Sequence, residues 1–192
     1  MNTPRQDAFW KRAARWLRGQ WRTVLLAVVV FVGVQAWQTR HVATGAMSAE
    51  LLASPVTLLQ TGQEAQTMSL MTALEQVRGA SDHPVAIYVW ADWCPICRTI
   101  RSSADAFSQD HPTLSIAMRS GSAAQVSSYL TAQHLNWPTV VDESGALTRA
   151  LGFTAVPAFA VVTPALQLTA PTVGLTSGWG MRLRWWWARW LA

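Results

Sequence analysis

Short apolar segments alternate with longer segments of helical spacing, and this alternation constrains the fold more than any other feature of the sequence. The short segments are rich in Val, Ile, Ala and aromatic residues, which is typical of strands buried on both faces of a sheet. These predicted strands lie at 85–90, 114–118, 139–141 and 158–162. The predicted helices lie at about 95–109, 123–134 and 146–151, with a turn at 142–145 and a helix stop at Gly152. This order predicts an α/β fold around a sheet that is at least partly parallel.

The charges are distributed unevenly along the 192 residues, which carry a formal net charge of +5. Residues 44–178 contain five arginines against nine acidic residues, so the central segment is acidic. The positive charge lies at the two ends, in Arg5, Lys11, Arg12, Arg15, Arg18 and Arg22 and in Arg182, Arg184 and Arg189. Basic ends around an acidic domain suit anionic lipid better than nucleic-acid phosphates. We therefore expect a lipid partner and no nucleic acid.

An uncharged apolar segment follows the basic N-terminus. The 17 residues from Thr23 to Thr39 carry no charge. As a helix they would reach about 25 Å, enough to cross the hydrocarbon core of a bilayer. Trp21 and Trp37 bracket the segment where an aromatic belt would lie. Six cationic residues precede it and only Arg40 follows closely, so the positive-inside rule places the N-terminus in the cytoplasm.

Either of two interpretations of this segment exports the remainder of the chain. A cleavable signal peptide is the alternative, but the 22-residue basic region is long for one, so a retained anchor is favoured. The expected topology is a single span with the domain that follows it on the non-cytoplasmic side. The predicted organisation is a basic cytoplasmic segment at 1–22, an anchor at 23–39, a linker at 40–55 and a domain at 56–192.

The chemistry is concentrated where the first strand runs into the first helix. The spacing of Cys94-Pro95-Ile96-Cys97 puts Cys94 at the helix N-terminus and Cys97 one turn inside, close enough for a disulfide. Unpaired backbone N–H groups and the positive end of the helix dipole favour the thiolate of Cys94, the expected nucleophile. Cys97 is then the resolving thiol. Pro95 suits the first turn, where its missing N–H has no intrahelical partner.

Other uses of two cysteines fit this sequence less well. A structural disulfide around two residues would constrain little chain entropy. Zinc would need two further ligands, and covalent haem attachment wants His directly after the second cysteine, where Arg98 stands. The four histidines lack metal-ligand spacing; they are His41, His83, His111 and His134. We therefore expect redox catalysis, with no metal and no cofactor.

Two motifs resemble the thioredoxin superfamily. The first is Val-Trp-Ala-Asp-Trp-Cys-Pro-Ile-Cys at 89–97, similar to the superfamily's active-site segment. The second is Gly-Phe-Thr-Ala-Val-Pro at 152–157, similar to the loop that carries a cis-proline facing the cysteines. The resemblance implies a thioredoxin-like fold, a central mixed sheet flanked by helices, and a cis bond before Pro157. The residues expected to contact substrate are Trp93, Pro95, Ile96, Val156 and Pro157.

The resemblance extends to one branch of the superfamily over roughly residues 15–192. This branch comprises membrane-tethered disulfide oxidoreductases similar to the suppressor-of-copper-sensitivity D protein and the cytochrome c maturation thioredoxins. The segments that carry it are the N-terminal anchor, Thr67-Met68-Ser69-Leu70, Val140-Val141-Asp142-Glu143-Ser144-Gly145 and the ending from Gly178 to Trp186. It implies a periplasmic dithiol kept reduced by an integral membrane electron donor, cysteine-containing protein substrates and, in some members, a connection to copper stress.

Three functions remain open from the sequence. The resemblance favours a reductase, but the Cys-Pro-X-Cys motif also occurs in strongly oxidising relatives, so an oxidase is an alternative. A Cu(I)-binding module that uses the two thiols, with methionines such as Met118 nearby, is the third. One departure from thioredoxin leaves the proton acceptor for Cys97 unassigned, because Tyr88 stands where thioredoxin carries a buried acid.

The C-terminus combines five tryptophans with three arginines within residues 179–190. This composition is typical both of a helix at a lipid interface and of a last helix that covers a sheet. A mixed role, with both packing and lipid contact, is favoured. At helical spacing one broad face could cover the sheet and leave the arginines in water. Its members are Leu183, Trp186, Trp187, Trp190 and Leu191.

Overall fold

The computed structural model describes residues 4–42 and 44–190 and divides the chain into two compact units between Gln38 and Thr39. Residues 1–3 of the expected basic segment lie outside the described residues, as do Leu191 and Ala192 of the expected C-terminal helix. The first unit is most of one 36-residue helix, α1 (Pro4–Thr39). By length and composition, α1 is apolar enough to cross a membrane over Gln20–Trp37, a window of mean hydropathy 1.4.

The second unit alternates strands and helices in the order that the sequence predicts for its central part. Its strands are β1 (Gly45–Ala46), β2 (Pro55–Leu59), β3 (Gln66–Ser69), β4 (Val85–Trp90), β5 (Thr113–Met118), β6 (Thr139–Asp142), β7 (Ala158–Val162) and β8 (Gln167–Val173). Its helices are α2 (Ala49–Ala53), α3 (Leu70–Arg78), α4 (Pro95–Asp110), α5 (Ala123–Ala132), α6 (Ala146–Ala150) and α7 (Gly178–Trp190).

All eight strands form one mixed sheet in the order β1-β8-β7-β4-β5-β6-β2-β3. The pairs β4–β5 and β5–β6 are parallel, and β7 pairs antiparallel with β4. Every residue of β4 and β7 is buried, as their continuous apolar sequences predict. The predicted fold class is confirmed: a mixed sheet flanked by helices, in a chain that also carries an apolar N-terminal helix.

Helices cover both faces of the sheet, so the unit has two apolar cores. One core includes Leu70 and Leu74 of α3, Leu151 and Phe153. The other packs α4, α5 and α7 against the sheet and contains Cys94 and Cys97. The cysteines therefore lie on the face covered by the longest helices of this unit.

The segment 40–55, expected to link the anchor to the domain, contains regular structure. Residues 45–46 form β1, which pairs with β8, and Ser48 caps α2 by accepting the backbone N–H of Leu51. Val42 is already buried in the first core. The segment lacks sustained periodicity, and the packing of β1 and Val42 depends on partners more than 100 residues away, so no local pattern predicts it.

The predicted sheet-facing side of the C-terminal helix is wrong within the described residues. Leu183, Trp186, Trp187 and Trp190 are between 51% and 74% exposed. The side chains that face the sheet are instead Met181, Trp185 and Ala188. Small and unbranched side chains let α7 approach closely, and Trp185 also finds a hydrogen-bond acceptor in the carbonyl of Pro84 at 3.1 Å.

Gly152 holds the start of this unit against the loop that follows α6. Its φ is +84°, and a Cβ built there would lie 2.3 Å from the carbonyl oxygen of His41 and 2.7 Å from the Cα of Val42. Gly174 has a similar φ of +89° with no atom within 4 Å of the same position. Substitutions at the two glycines therefore distinguish the cost of backbone strain alone from the cost of strain together with a clash against neighbouring backbone.

We predict that Gly152→Ala lowers the free energy of unfolding more than Gly174→Ala does. The Gly174 change adds only backbone strain, about 1–3 kcal/mol, whereas the Gly152 change also pushes backbone against backbone and should cost at least about 2 kcal/mol more. Urea unfolding of the two variants and the parent chain measures both costs. Equal losses would show that residues 41–42 do not pack against Gly152.

Candidate active site

The two cysteines lie where β4 passes into α4. Cys94 is the N-cap of α4, and its Sγ accepts the backbone N–H of Cys97 at 3.2 Å. Pro95 takes the first helical position, where a missing N–H costs no hydrogen bond. The structure thus places Cys94 at the helix N-terminus and Cys97 one turn inside, as their spacing predicts.

The sulfurs lie beneath an exposed apolar rim. Cys94 and Cys97 are 3% and 4% exposed and carry free thiols, whereas Trp93 and Ile96 are about half exposed. An incoming sulfur therefore meets Cys94 at the bottom of a shallow apolar surface. Pro95, also exposed, lies between these two cysteines on the same surface.

The loop before β7 brings a second element to Cys94. The peptide bond between Val156 and Pro157 is cis, which confirms the prediction for this bond. The Cys94 thiol donates to the carbonyl oxygen of Val156 at 3.7 Å. Residues 62 positions apart in the sequence therefore meet at the sulfur of Cys94.

Cys97 lies deeper and in different surroundings. Burial is the main reason that the pKa of its thiol rises to about 12, and the side-chain hydrogen bond with Cys94 adds to the effect. A small cavity of about 10 Å³ adjoins the thiol; its other lining residues are Tyr88, Trp90, Arg101, Tyr129 and Trp137. At neutral pH Cys97 is therefore held as a thiol.

Tyr88 lies in the same core as Cys97. It is 3% exposed, its ring meets Trp137 edge to face at 5.6 Å, and its hydroxyl has no hydrogen-bond partner among the described residues. Burial, and then the neighbouring Cys97, raise the pKa of this hydroxyl above its ordinary range. Tyr88 is therefore a neutral hydrogen-bond donor near neutral pH, and not a base.

A loop after β5 supports Trp93, and sequence reasoning missed it. The Trp93 indole Nε1 donates to the carbonyl of Arg119 at 3.0 Å, and Ser120 accepts the backbone N–H of Asp92 at 3.2 Å. The Asp92 carboxylate accepts the backbone N–H of Trp93 at 2.8 Å, so this acid orders the loop. The signal was present: parallel strands β4 and β5 end at one sheet edge, so the residues after each should meet.

The described residues contain no group of three His, Cys, Asp or Glu side chains arranged to hold a metal ion. The two thiols lie in the second core, whereas Met118 packs against the first core. This arrangement is able to perform thiol-disulfide exchange. It combines an N-cap sulfur with a second thiol one turn away, and an exposed apolar surface adjoins both.

The mixed sheet, the cysteine pair at a strand-to-helix junction and the facing cis-proline loop define a thioredoxin-like protein. Its fold matches the solved structure of MTB dsbF with a TM-score of 0.59 and 17% identity, covering 74% of this chain and 99% of that one. A secreted thiol-disulfide isomerase from Corynebacterium glutamicum matches with a TM-score of 0.55 and 15% identity, over 66% and 78% of the two chains. At these identities the likeness is one of fold.

The family model described as Redoxin matches residues 60–169, more than half of the chain, so this protein belongs to the Redoxin family. A thioredoxin-like protein of Haemophilus influenzae is 28% identical over 102 residues, which are 53% of this chain and 60% of that protein. The chain thus matches somewhat more than half the length of this curated relative. Family and fold are thus those of a Redoxin protein with a thioredoxin-like fold.

We predict that alkylation of Cys97 has no plateau below about pH 9 in the folded Cys94→Ala variant. Burial, the main cause of the raised pKa of Cys97, persists in this variant, so the thiolate fraction and the rate keep rising about tenfold per pH unit. Mass spectrometry of iodoacetamide adducts from pH 7 to 11 gives the profile. The urea-unfolded variant is the control and should level off above an ordinary thiol pKa of about 8.5; the same half-point in the folded chain would contradict the prediction.

Proposed function

We propose that this protein is an oxidoreductase that exchanges disulfides with protein substrates through Cys94 and Cys97. The observation that carries the proposal is the 3.2 Å contact in which the Cys94 sulfur accepts the Cys97 backbone N–H at the start of α4. A thiolate in that position gains a hydrogen bond and the favourable field of the helix N-terminus. Cys94 is therefore the nucleophile, and the more deeply placed Cys97 is the resolving thiol.

In the reductive direction the reaction has two exchange steps. The Cys94 thiolate attacks one sulfur of a substrate disulfide, forms a mixed disulfide and expels the other substrate sulfur as a thiolate, which takes up a proton. Cys97 then loses its proton and attacks the Cys94 sulfur, which releases the second substrate sulfur. The substrate gains two electrons and two protons, and the protein is left with a Cys94–Cys97 disulfide.

The raised pKa of Cys97 explains why this thiol reacts in the second step and not in the first. Because burial keeps this thiol protonated, it does not compete with Cys94 for the incoming disulfide. Tyr88, whose hydroxyl is uncharged and has no other partner among the described residues, lines the same small cavity as Cys97. We propose that it donates a hydrogen bond to the Cys97 thiolate as that thiolate forms, while the proton passes to the departing substrate sulfur or to solvent.

The surface around Cys94 suits an extended protein segment. Trp93 and Ile96 offer apolar contact beside the sulfur, and Pro95 lies between them. The backbone of Val156, whose carbonyl faces the Cys94 thiol, offers hydrogen bonds to an extended chain. Because Pro157 has no backbone N–H, it makes no hydrogen bond of its own there, and the backbone before it remains free to pair with the substrate. These five residues are the proposed substrate contacts.

We further propose the reductase direction and a place in the inner membrane. The direction follows the resemblance to the tethered reductases, whose dithiols receive electrons from an integral membrane donor. The location is supported by the apolar window Gln20–Trp37 and by the basic residues that precede it. In this topology residues 1–22 lie in the cytoplasm and the redox domain lies in the periplasm.

The assigned roles predict unequal trapping of substrates by two single variants. The full chain with Cys97→Ala should accumulate mixed disulfides through Cys94, because the step that releases them is removed. Cys94→Ala should accumulate few, because its remaining thiol is buried and protonated. Acid quenching of cells followed by non-reducing electrophoresis measures the adducts.

The double variant with both changes is the matched control and should form none. Because the chain has only these two cysteines, any adduct that persists in the double variant is not a disulfide of this chain. Equal trapping by the two single variants would overturn the assignment of nucleophile and resolving thiol.

A further inference from the structure

Helix α7 has two faces of opposite surroundings, although both are apolar. On one face Met181, Trp185 and Ala188 are buried against the sheet. The ring of Trp185 stacks on His111 with centroids 4.3 Å apart. This face completes the second core and fixes the orientation of the helix.

The other face carries a stripe of large apolar side chains in water. We call it the Trp stripe; its members and exposed fractions are Trp179 (84%), Leu183 (63%), Trp186 (51%), Trp187 (57%) and Trp190 (74%). At about 100° per residue the five side chains fall within an arc of about 100°, opposite to the buried face. Such a contiguous patch is unusual on a soluble monomer and marks a contact surface.

The charges beside the Trp stripe are all positive. Helix α7 contains three arginines and no acidic residue. Arg182 pairs with Asp110 of α4 at 2.7 Å. Within the described ranges 4–42 and 44–190, neither Arg184 nor Arg189 forms a salt bridge with a carboxylate. Arg184 is partly buried and also donates to the carbonyl of Gly180 at 3.3 Å. Neither cation beside the stripe therefore has an anionic partner within the described residues.

We infer that the Trp stripe lies in the headgroup region of a lipid bilayer, with Arg184 and Arg189 on anionic phosphates. Tryptophan prefers this region because its ring is apolar while its indole N–H keeps a polar partner. An apolar stripe flanked by arginines is the composition of a helix that lies in a membrane surface. A protein partner would not require Arg184 and Arg189, two cations without a carboxylate partner in the described residues, which complement anionic lipid.

The length of the linking chain supports the same occupant. The apolar window of α1 ends at Trp37, and Val42 is already part of the core of the second unit. Five residues extend to at most about 18 Å. If α1 spans the membrane as proposed, a bilayer surface is always within reach of the domain, at a high effective concentration. This inference does not depend on the redox chemistry of Cys94.

Fluorine NMR of the full chain in lipid nanodiscs tests the inference. The chain is labelled with 5-fluorotryptophan and placed in discs of phosphatidylcholine and phosphatidylglycerol at about three to one, an anionic content suited to binding cationic helices. Single Trp→Phe variants assign the resonances. A phosphatidylethanolamine with a paramagnetic headgroup then broadens the signals of tryptophans near the lipid surface.

We expect the four Trp resonances of the stripe to lose most of their intensity. Trp185, on the opposite face of the same helix, should lose less, and the core residues Trp90 and Trp137 least. Replacing both Arg184 and Arg189 with Gln should weaken the loss at the stripe and leave the core signals unchanged. Discs of pure phosphatidylcholine should reproduce the effect of that double variant.

Three outcomes would overturn the inference. Stripe signals that are broadened no more than that of Trp185 would place the stripe away from lipid. Stripe signals that keep their intensity in discs that hold two copies of the chain would assign the stripe to a dimer interface. If the stripe resonances lose as much intensity in the double arginine variant as in the parent chain, Arg184 and Arg189 do not contact lipid phosphates. Circular dichroism of each variant establishes that α7 and the sheet remain folded.

Discussion

The hydrogen bond between the Cys97 backbone N–H and the Cys94 sulfur is the interaction on which the site depends. It makes a cysteine the N-cap of α4, with its sulfur in the position that Ser, Thr, Asp or Asn usually takes. The buried strand β4 delivers the chain to this point, and its parallel partner β5 delivers the loop that holds Trp93. Folding and reactivity therefore share one contact.

The central part of the fold follows from the sequence, and the edges do not. Strands β4 and β7 are continuous apolar runs, and α4 begins with a Cys-Pro pair at its cap, so local pattern suffices. The strand β8 contains Pro171 and several polar residues and is held by pairing with β7 and β1. Strands β2 and β3 likewise depend on pairing with each other and with β6. No local pattern specifies such partners.

The site shows the same division between local and distant information. The spacing of the cysteines and the loop before Pro157 pointed to their contact, because each belongs to a motif. The unsatisfied hydroxyl of Tyr88 and the support of Trp93 by Arg119 arise from packing between separate elements. The orientation of α7 also escaped prediction, since four of its five tryptophans lie on the exposed face and only Trp185 is buried. Only the fit of Met181 and Ala188 against the sheet selects the buried face.

The proposed chemistry requires Cys94 and Cys97 to act as one reversible dithiol-disulfide couple. The most direct test is to equilibrate the full chain in glutathione and dithiothreitol buffers of defined potential and to count free thiols by mass-tag labelling. The account predicts a single two-electron transition near that of thioredoxin, about −270 mV. A transition near −120 mV would contradict the reductase direction, and two thiols that never pair at any potential would contradict the redox site itself.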